Sequence, residues 1–192
     1  MKPGPGPPLA APRVPGWRIG WTAIRPRTLS LAVAPVVLGS ALAWADGSPI
    51  RVAVFLAALV CALLIQIGTN LGNDVADCRR GIDGHDRVGP LRVTATGWVQ
   101  PRTMVRASLA CFVAALLIGL WLVGQGGWPI LLAGITSLVA GWCYSAGPRP
   151  ISHSAWGEAF VLMFFGLIAV AGSHWLQAGT LLGLVLAAGV LL

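Results

Sequence analysis

Between Thr28 and Trp175 the chain passes through five apolar stretches, each holding at most one formally charged residue. They cover residues 28–45, 52–70, 103–123, 129–144 and 157–175. A stretch of this kind leaves no polar face for water, so it cannot lie on the surface of a soluble domain. Runs of about 20 apolar residues match the hydrocarbon thickness of a bilayer instead. Their spacing predicts an all-α, polytopic transmembrane helical bundle forming a single domain over residues 17–192. A sixth apolar run begins near Thr180 and continues to Leu192. As a helix it rises only about 20 Å, short of the roughly 30 Å hydrocarbon core. The expectation is therefore five full spans plus a truncated sixth, the N-terminal portion of a longer protein and inactive alone.

Composition agrees where the argument needs it. Only 10% of residues are charged, against about 25% in soluble domains, and mean hydropathy is +0.79. Residues 1–16 contain six prolines, Pro3, Pro5, Pro7, Pro8, Pro12 and Pro15. Such a segment cannot form a helix, and it lacks the apolar run of a signal peptide. A disordered tail is expected.

The net charge of +7 would suggest nucleic acid in a soluble protein. Here orientation explains it. With the N-terminus in the cytoplasm, twelve of the thirteen basic residues fall on the cytoplasmic side and only Arg51 opposite. That is the positive-inside pattern, and it argues against a nucleic-acid partner. The nine tryptophans fall near span ends, where amphipathic rings prefer to sit against membrane lipid. Cys61, Cys78, Cys111 and Cys143 show no metal or redox spacing and read as core residues. Small residues recur every four positions at Ala133, Ser137 and Gly141, and at Gly179, Gly183 and Ala187, a spacing that suits close helix packing in lipid. His85, His153 and His174 have no partner at ligand spacing and are expected to be ordinary polar residues in loops.

Four of the six acidic residues, Asp74, Asp77, Asp83 and Asp86, lie together between the second and third spans. If the second helix continues through the start of this segment, Gln66, Asn70, Asn73, Asp74 and Asp77 share one face. Polar residues that begin inside a membrane helix should face the bundle interior. Carboxylates near a helix C-terminus meet the negative end of its dipole and need a compensating cation. Hard oxygen ligands suit Mg²⁺, held by one or two carboxylates together with substrate phosphate. Arg79, Arg80, Arg87 and Arg92 are near enough in sequence to grip phosphate oxygens. A metal-bound diphosphate is one reading. The other is a solvated loop whose acids pair with its arginines.

The segment Asn73-Asp74-x-x-Asp77, Gly81-x-Asp83, Asp86-Arg87-Val88-Gly89-Pro90-Leu91-Arg92 resembles the first aspartate-rich motif of the UbiA-type intramembrane prenyltransferases. Its variant is similar to the branch of that family whose acceptor is 1,4-dihydroxy-2-naphthoate. Arg25-Pro26-Arg27 resembles the family's entry to the first helix. Tyr144-Ser145-Ala146-Gly147-Pro148 with Gly157-Glu158 and Phe164-Phe165-Gly166 resembles its fourth loop and fifth helix. The resemblance implies Mg²⁺-dependent transfer of a polyprenyl group from polyprenyl diphosphate to 1,4-dihydroxy-2-naphthoate, with loss of CO₂ and diphosphate, at a site facing the cytoplasm. It implies Asn73, Asp74, Asp77 and Asp83 as metal ligands. Arg87, Arg92 and Asp86 take catalytic parts, and Asn70, Arg79, Arg80, Arg25 and Tyr144 contact substrate. The family's second aspartate-rich motif has no counterpart, since no Asp or Glu follows Glu158. Two other readings stay open: the same fold with another aromatic or sugar-phosphate acceptor, and a non-catalytic membrane subunit that binds cations.

Overall fold

The computed structural model describes residues 14–81, 92–145, 157–181 and 183–191. Among these the regular elements are all helical. They are α1 (Gly16–Ile24), α2 (Pro26–Ala45), α3 (Val52–Arg80), α4 (Pro101–Gly126), α5 (Trp128–Ser145), α6 (Gly157–Ala178) and α7 (Gly183–Leu191). Helices α2, α3, α4 and α6 are each long and apolar enough to cross a bilayer, and α5 is a shorter apolar helix. A helical membrane bundle is therefore present, with four such helices among the described residues where five full spans are expected.

Local chemistry sets the ends. Pro26 and Pro101 occupy first-turn positions, where a missing N–H costs nothing. Gly81 ends α3 in the left-handed conformation, φ 66°, with its N–H bonded back to Asp77 and Cys78 carbonyls. Gly127 turns α4 into α5 at φ 71°, ψ −158°, a region open to glycine alone. Apolar side chains on α4 such as Leu109, Leu117 and Leu120 are exposed, as a lipid-facing surface requires.

The helices meet closely at glycines. A Cβ at Gly39 of α2 would lie 2.3 Å from the Val170 carbonyl of α6, and one at Gly166 would lie 2.3 Å from the Gly189 carbonyl of α7. Gly141 brings α5 against Thr69 of α3, as its small-residue spacing predicts. The second spacing does not pack. Gly179 is the left-handed cap of α6, and a Cβ there or at Gly183 would meet nothing within 4 Å.

Three features differ from the sequence expectation. First, α1 is a helix where no element is expected. Its inner face, Ile19 and Ala23, packs against Leu71, Val75 and Val93, while Trp17 is 71% exposed on the outer face. Second, Leu162–Ile168 within α6 is π-helical. Third, His174 is not a loop residue. It lies in α6, fully buried, with Nε2 2.8 Å from Asp46 Oδ2 and Nδ1 3.0 Å from the Thr180 carbonyl. This contact ties the end of α2 to the end of α6. Nearby, the Arg51 backbone N–H donates to Gln177 Oε1 (2.8 Å) and its guanidinium to Gln125 and the Leu176 carbonyl. A cation at the C-terminal ends of α4 and α6 opposes their dipoles. His174→Leu leaves the Asp46 carboxylate without this donor. We expect a loss of about 1–3 kcal/mol, read as a lower unfolding temperature in detergent. Unchanged stability would rule out a structural role for the contact.

Candidate active site

Helix α3 has 29 residues, a rise of about 43 Å, well beyond the roughly 30 Å hydrocarbon core. Starting from Val52 at one boundary, the chain reaches the other near Asn70. The polar stripe therefore begins where α3 leaves the apolar layer. The continuation of the second helix that the shared polar face supposes is present, and the helix runs on to Arg80. Continuing it keeps Gln66, Asn70, Asp74 and Asp77 on an inward face, and all four are buried.

The stripe fronts a cavity of about 270 Å³. Gln66, Thr69, Asn70 and Asn73 form one wall, and Arg25 and Thr28 another. The remainder is largely apolar and includes four aromatic rings: Tyr144 stacks on Phe160 with centroids 5.9 Å apart, Phe160 lies 4.5 Å from Phe164, and Phe165 is the fourth. A π-helical segment often marks a functional site, and here it carries Phe164 and Phe165 onto the cavity. Ala62, Ile65, Ser137 and Ala169 also line a second, almost wholly apolar cavity of about 150 Å³ between α3, α4, α5 and α6.

Arg25 reaches the cavity through an unusual backbone. It joins α1 to α2 in the left-handed region, φ 53° and ψ 72°, at a cost of about 1–3 kcal/mol for a residue with a side chain. Asn70 helps hold it there. Its Nδ2 donates to the Ile24 carbonyl and to Thr28 Oγ1, both at 2.9 Å, while Gln66 Nε2 donates to its Oδ1 at 3.5 Å. Thr28 in turn donates to the Arg25 carbonyl at 2.9 Å.

The acids sit one turn beyond. Asp74 Oδ2 accepts the Val93 N–H at 3.0 Å, and Oδ1 accepts the Thr94 N–H at 2.9 Å. Asp77 pairs with the Arg92 guanidinium, both side chains being buried. The structure thus brings Arg25, Asn70, Asn73 and Tyr144 to one cavity and Asp74, Asp77 and Arg92 together beside α3. Arg79 and Arg80 are exposed in the last turn of α3, away from the cavity lining. Asp83, Asp86 and Arg87 lie outside the described residues. Among the described residues no three acidic, histidine or cysteine side chains converge as a metal site. The donors on this face are all hard oxygens, the class that Mg²⁺ takes, so this chain offers a fitting but partial set. Sequence reasoning missed Phe160, Phe164, Phe165 and Thr28 as cavity residues. The repeat of Phe160 and Phe164 four residues apart was the available signal.

These features define a polytopic membrane protein whose helices enclose a cavity lined by an arginine and amides on one side and by apolar residues, four of them aromatic, on the other. The chain belongs to the UbiA prenyltransferase family, whose model matches residues 32–192. It is 40% identical to the 1,4-dihydroxy-2-naphthoate octaprenyltransferase of Escherichia coli (strain K12), over 83% of this chain and 53% of that relative. It is 37% identical to the enzyme of the same name from Mycobacterium tuberculosis (strain ATCC 25618 / H37Rv), over 80% of this chain and 52% of the relative. A 2-carboxy-1,4-naphthoquinone phytyltransferase of Synechocystis is 30% identical over 89% and 55%. The chain spans about half the length of the curated relatives it matches. Enzymes of this family are generally dependent on a divalent cation.

Proposed function

We propose that the full-length gene product transfers a polyprenyl group from polyprenyl diphosphate to 1,4-dihydroxy-2-naphthoate, with loss of diphosphate and CO₂, on the way to menaquinone. The observation that carries this reading is the cavity itself: amides of α3 and Arg25 on one side, an apolar wall with Tyr144, Phe160, Phe164 and Phe165 on the other. An amphiphile with an anionic head and an unsaturated tail matches that division. The similarity to named naphthoate octaprenyltransferases supports the acceptor.

The chemistry balances without an oxidant. The donor's first carbon parts from the diphosphate oxygen, and the electron pair leaves with diphosphate. The naphthoate carbon bearing the carboxylate attacks the allylic cation. CO₂ then departs, and its bonding pair restores the aromatic ring. Arg25 and Arg92, with Arg87 from the resemblance, stabilise the departing diphosphate by charge-assisted hydrogen bonds. Asp86 takes its catalytic part on the same ground. Tyr144, Phe160 and Phe164 offer ring faces to the cation, and the apolar enclosure keeps water from trapping it. Asp77 and Asn73, with Asp83 from the resemblance, would hold Mg²⁺, which supplies further neutralisation of the leaving group. Arg25 among the cavity residues and the bias of basic residues toward one side of the spans support a site that faces the cytoplasm.

The test uses the full-length protein in proteoliposomes with octaprenyl diphosphate and carboxyl-labelled 1,4-dihydroxy-2-naphthoate. Labelled CO₂ should appear with Mg²⁺ and stop when the ion is chelated. Prenylation of a different acceptor alone, or cation flux without any prenyl transfer, would refute the proposal.

A further inference from the structure

Asp74 is among the most enclosed polar residues of the protein, at 1% exposure. Neither it nor Asp77 lines the cavity, although Asn70 and Asn73 do. Each of the Asp74 oxygens instead accepts a backbone N–H from one short segment, Val93 to Oδ2 and Thr94 to Oδ1. That segment is a tight coil in its own right. Thr96 N–H bonds the Arg92 carbonyl at 3.0 Å, Gly97 N–H the Thr94 carbonyl at 3.1 Å, and Trp98 N–H the Val93 carbonyl at 3.1 Å. Asp74 therefore caps the coil from a neighbouring element, satisfying two N–H groups that would otherwise be buried without partners. Val93, fully buried against Leu71, Val75 and Met104, seats the same segment by apolar contact. The residue just before it is Arg92, which meets Asp77 three positions along α3 from Asp74.

We infer that Asp74 is a positioning residue: it docks residues 92–98 onto α3, so that Arg92 is presented beside Asp77, and it is not itself one of the ion-holding groups. A carboxylate that already accepts an amide N–H on each oxygen has fewer lone pairs left for an ion. The inference rests on the proposed reaction only for what Arg92 then does. The docking role stands on the contacts alone.

The experiment is hydrogen exchange on the full-length protein in nanodiscs, with no metal and no substrate. Asp74→Ala should speed exchange at the Val93 and Thr94 amides by about tenfold or more, while Asp77→Asn leaves Asp74's two acceptors in place and those amides protected. Asp74→Asn retains one acceptor oxygen, so one amide should lose protection and the other keep it. This milder variant carries the test should Asp74→Ala fail to insert. In the activity assay, Asp74→Asn should raise the KM for the diphosphate donor without moving the Mg²⁺ concentration for half-maximal rate, which Asp77→Asn should raise. Unchanged amide exchange in both Asp74 variants would overturn the inference, as would a Mg²⁺ shift in Asp74→Asn equal to that in Asp77→Asn. Because the exchange measurement needs neither substrate nor ion, it can fail or succeed independently of the proposed activity.

Discussion

Asp77→Ala in the full-length protein is expected to lower prenyl transfer by about 10²- to 10³-fold, the scale of losing one preorganised charge contact to a departing group. Two effects combine at this residue. It is the buried carboxylate nearest Arg92, and it stands on the face of α3 that also carries Asn73 to the cavity. Removing it takes away a hard-oxygen donor and breaks the buried ion pair with Arg92. Breaking such a pair from one side costs about 3–5 kcal/mol. The loss of activity must therefore be separated from a loss of folding. The double variant Asp77→Ala/Arg92→Met removes both charges and should recover much of the thermal stability, because an apolar replacement of both partners is nearly neutral. It should not recover turnover. Single-turnover rates and unfolding temperatures, measured on the same preparations, distinguish the cases. Turnover above a tenth of wild type in Asp77→Ala would remove Asp77 from the reaction.

The parts of this fold that were legible in the sequence are those set by local composition. Apolar runs long enough to cross a bilayer gave the helices, and a polar stripe at 100° per residue gave the face of α3 on which Asn70, Asn73, Asp74 and Asp77 lie. What escaped is fixed by partners distant in the chain. His174 reads as an unremarkable polar residue until Asp46, 128 positions away, is placed beside it. The sequence offers Asp74 as a ligand through its motif and gives no sign of its backbone partners. Only the fold brings the Val93 and Thr94 amides onto its oxygens. Helix α1 was hidden for another reason: it is one short amphipathic element adjoining a proline-rich stretch, and at nine residues it is too short for a spanning signal. The π-helical segment has no signature in residue type. It alters which side chains share a face, and so Phe164 and Phe165 both reach the cavity.

Gly39→Val is expected to be the most damaging single change to the fold, destabilising it by about 3 kcal/mol or more. The reason lies in what a side chain would meet. A Cβ at position 39 would be 2.3 Å from the Val170 carbonyl oxygen, 2.8 Å from Ser173 Cβ and 3.0 Å from the His174 backbone nitrogen. Two of these three are backbone atoms of α6, which cannot rotate away as a flexible side chain can. Relief requires α2 and α6 to separate. Separation would also stretch the His174–Asp46 contact at their shared end and disturb the wall that Leu31, Ala32 and Phe165 give the cavity. In lipid no hydrophobic force restores the contact, since association there depends on close packing and hydrogen bonds. The unfolding temperature in nanodiscs should fall by about 10 °C, and prenyl transfer should fall with it. Gly134→Ala is the control. A Cβ there meets nothing within 4 Å, and removing a mid-helix glycine should stabilise by about 0.5–1 kcal/mol. If Gly39→Val melts within a degree of wild type, α2 and α6 do not approach as closely as described, and the shape of the cavity between them would have to be redrawn.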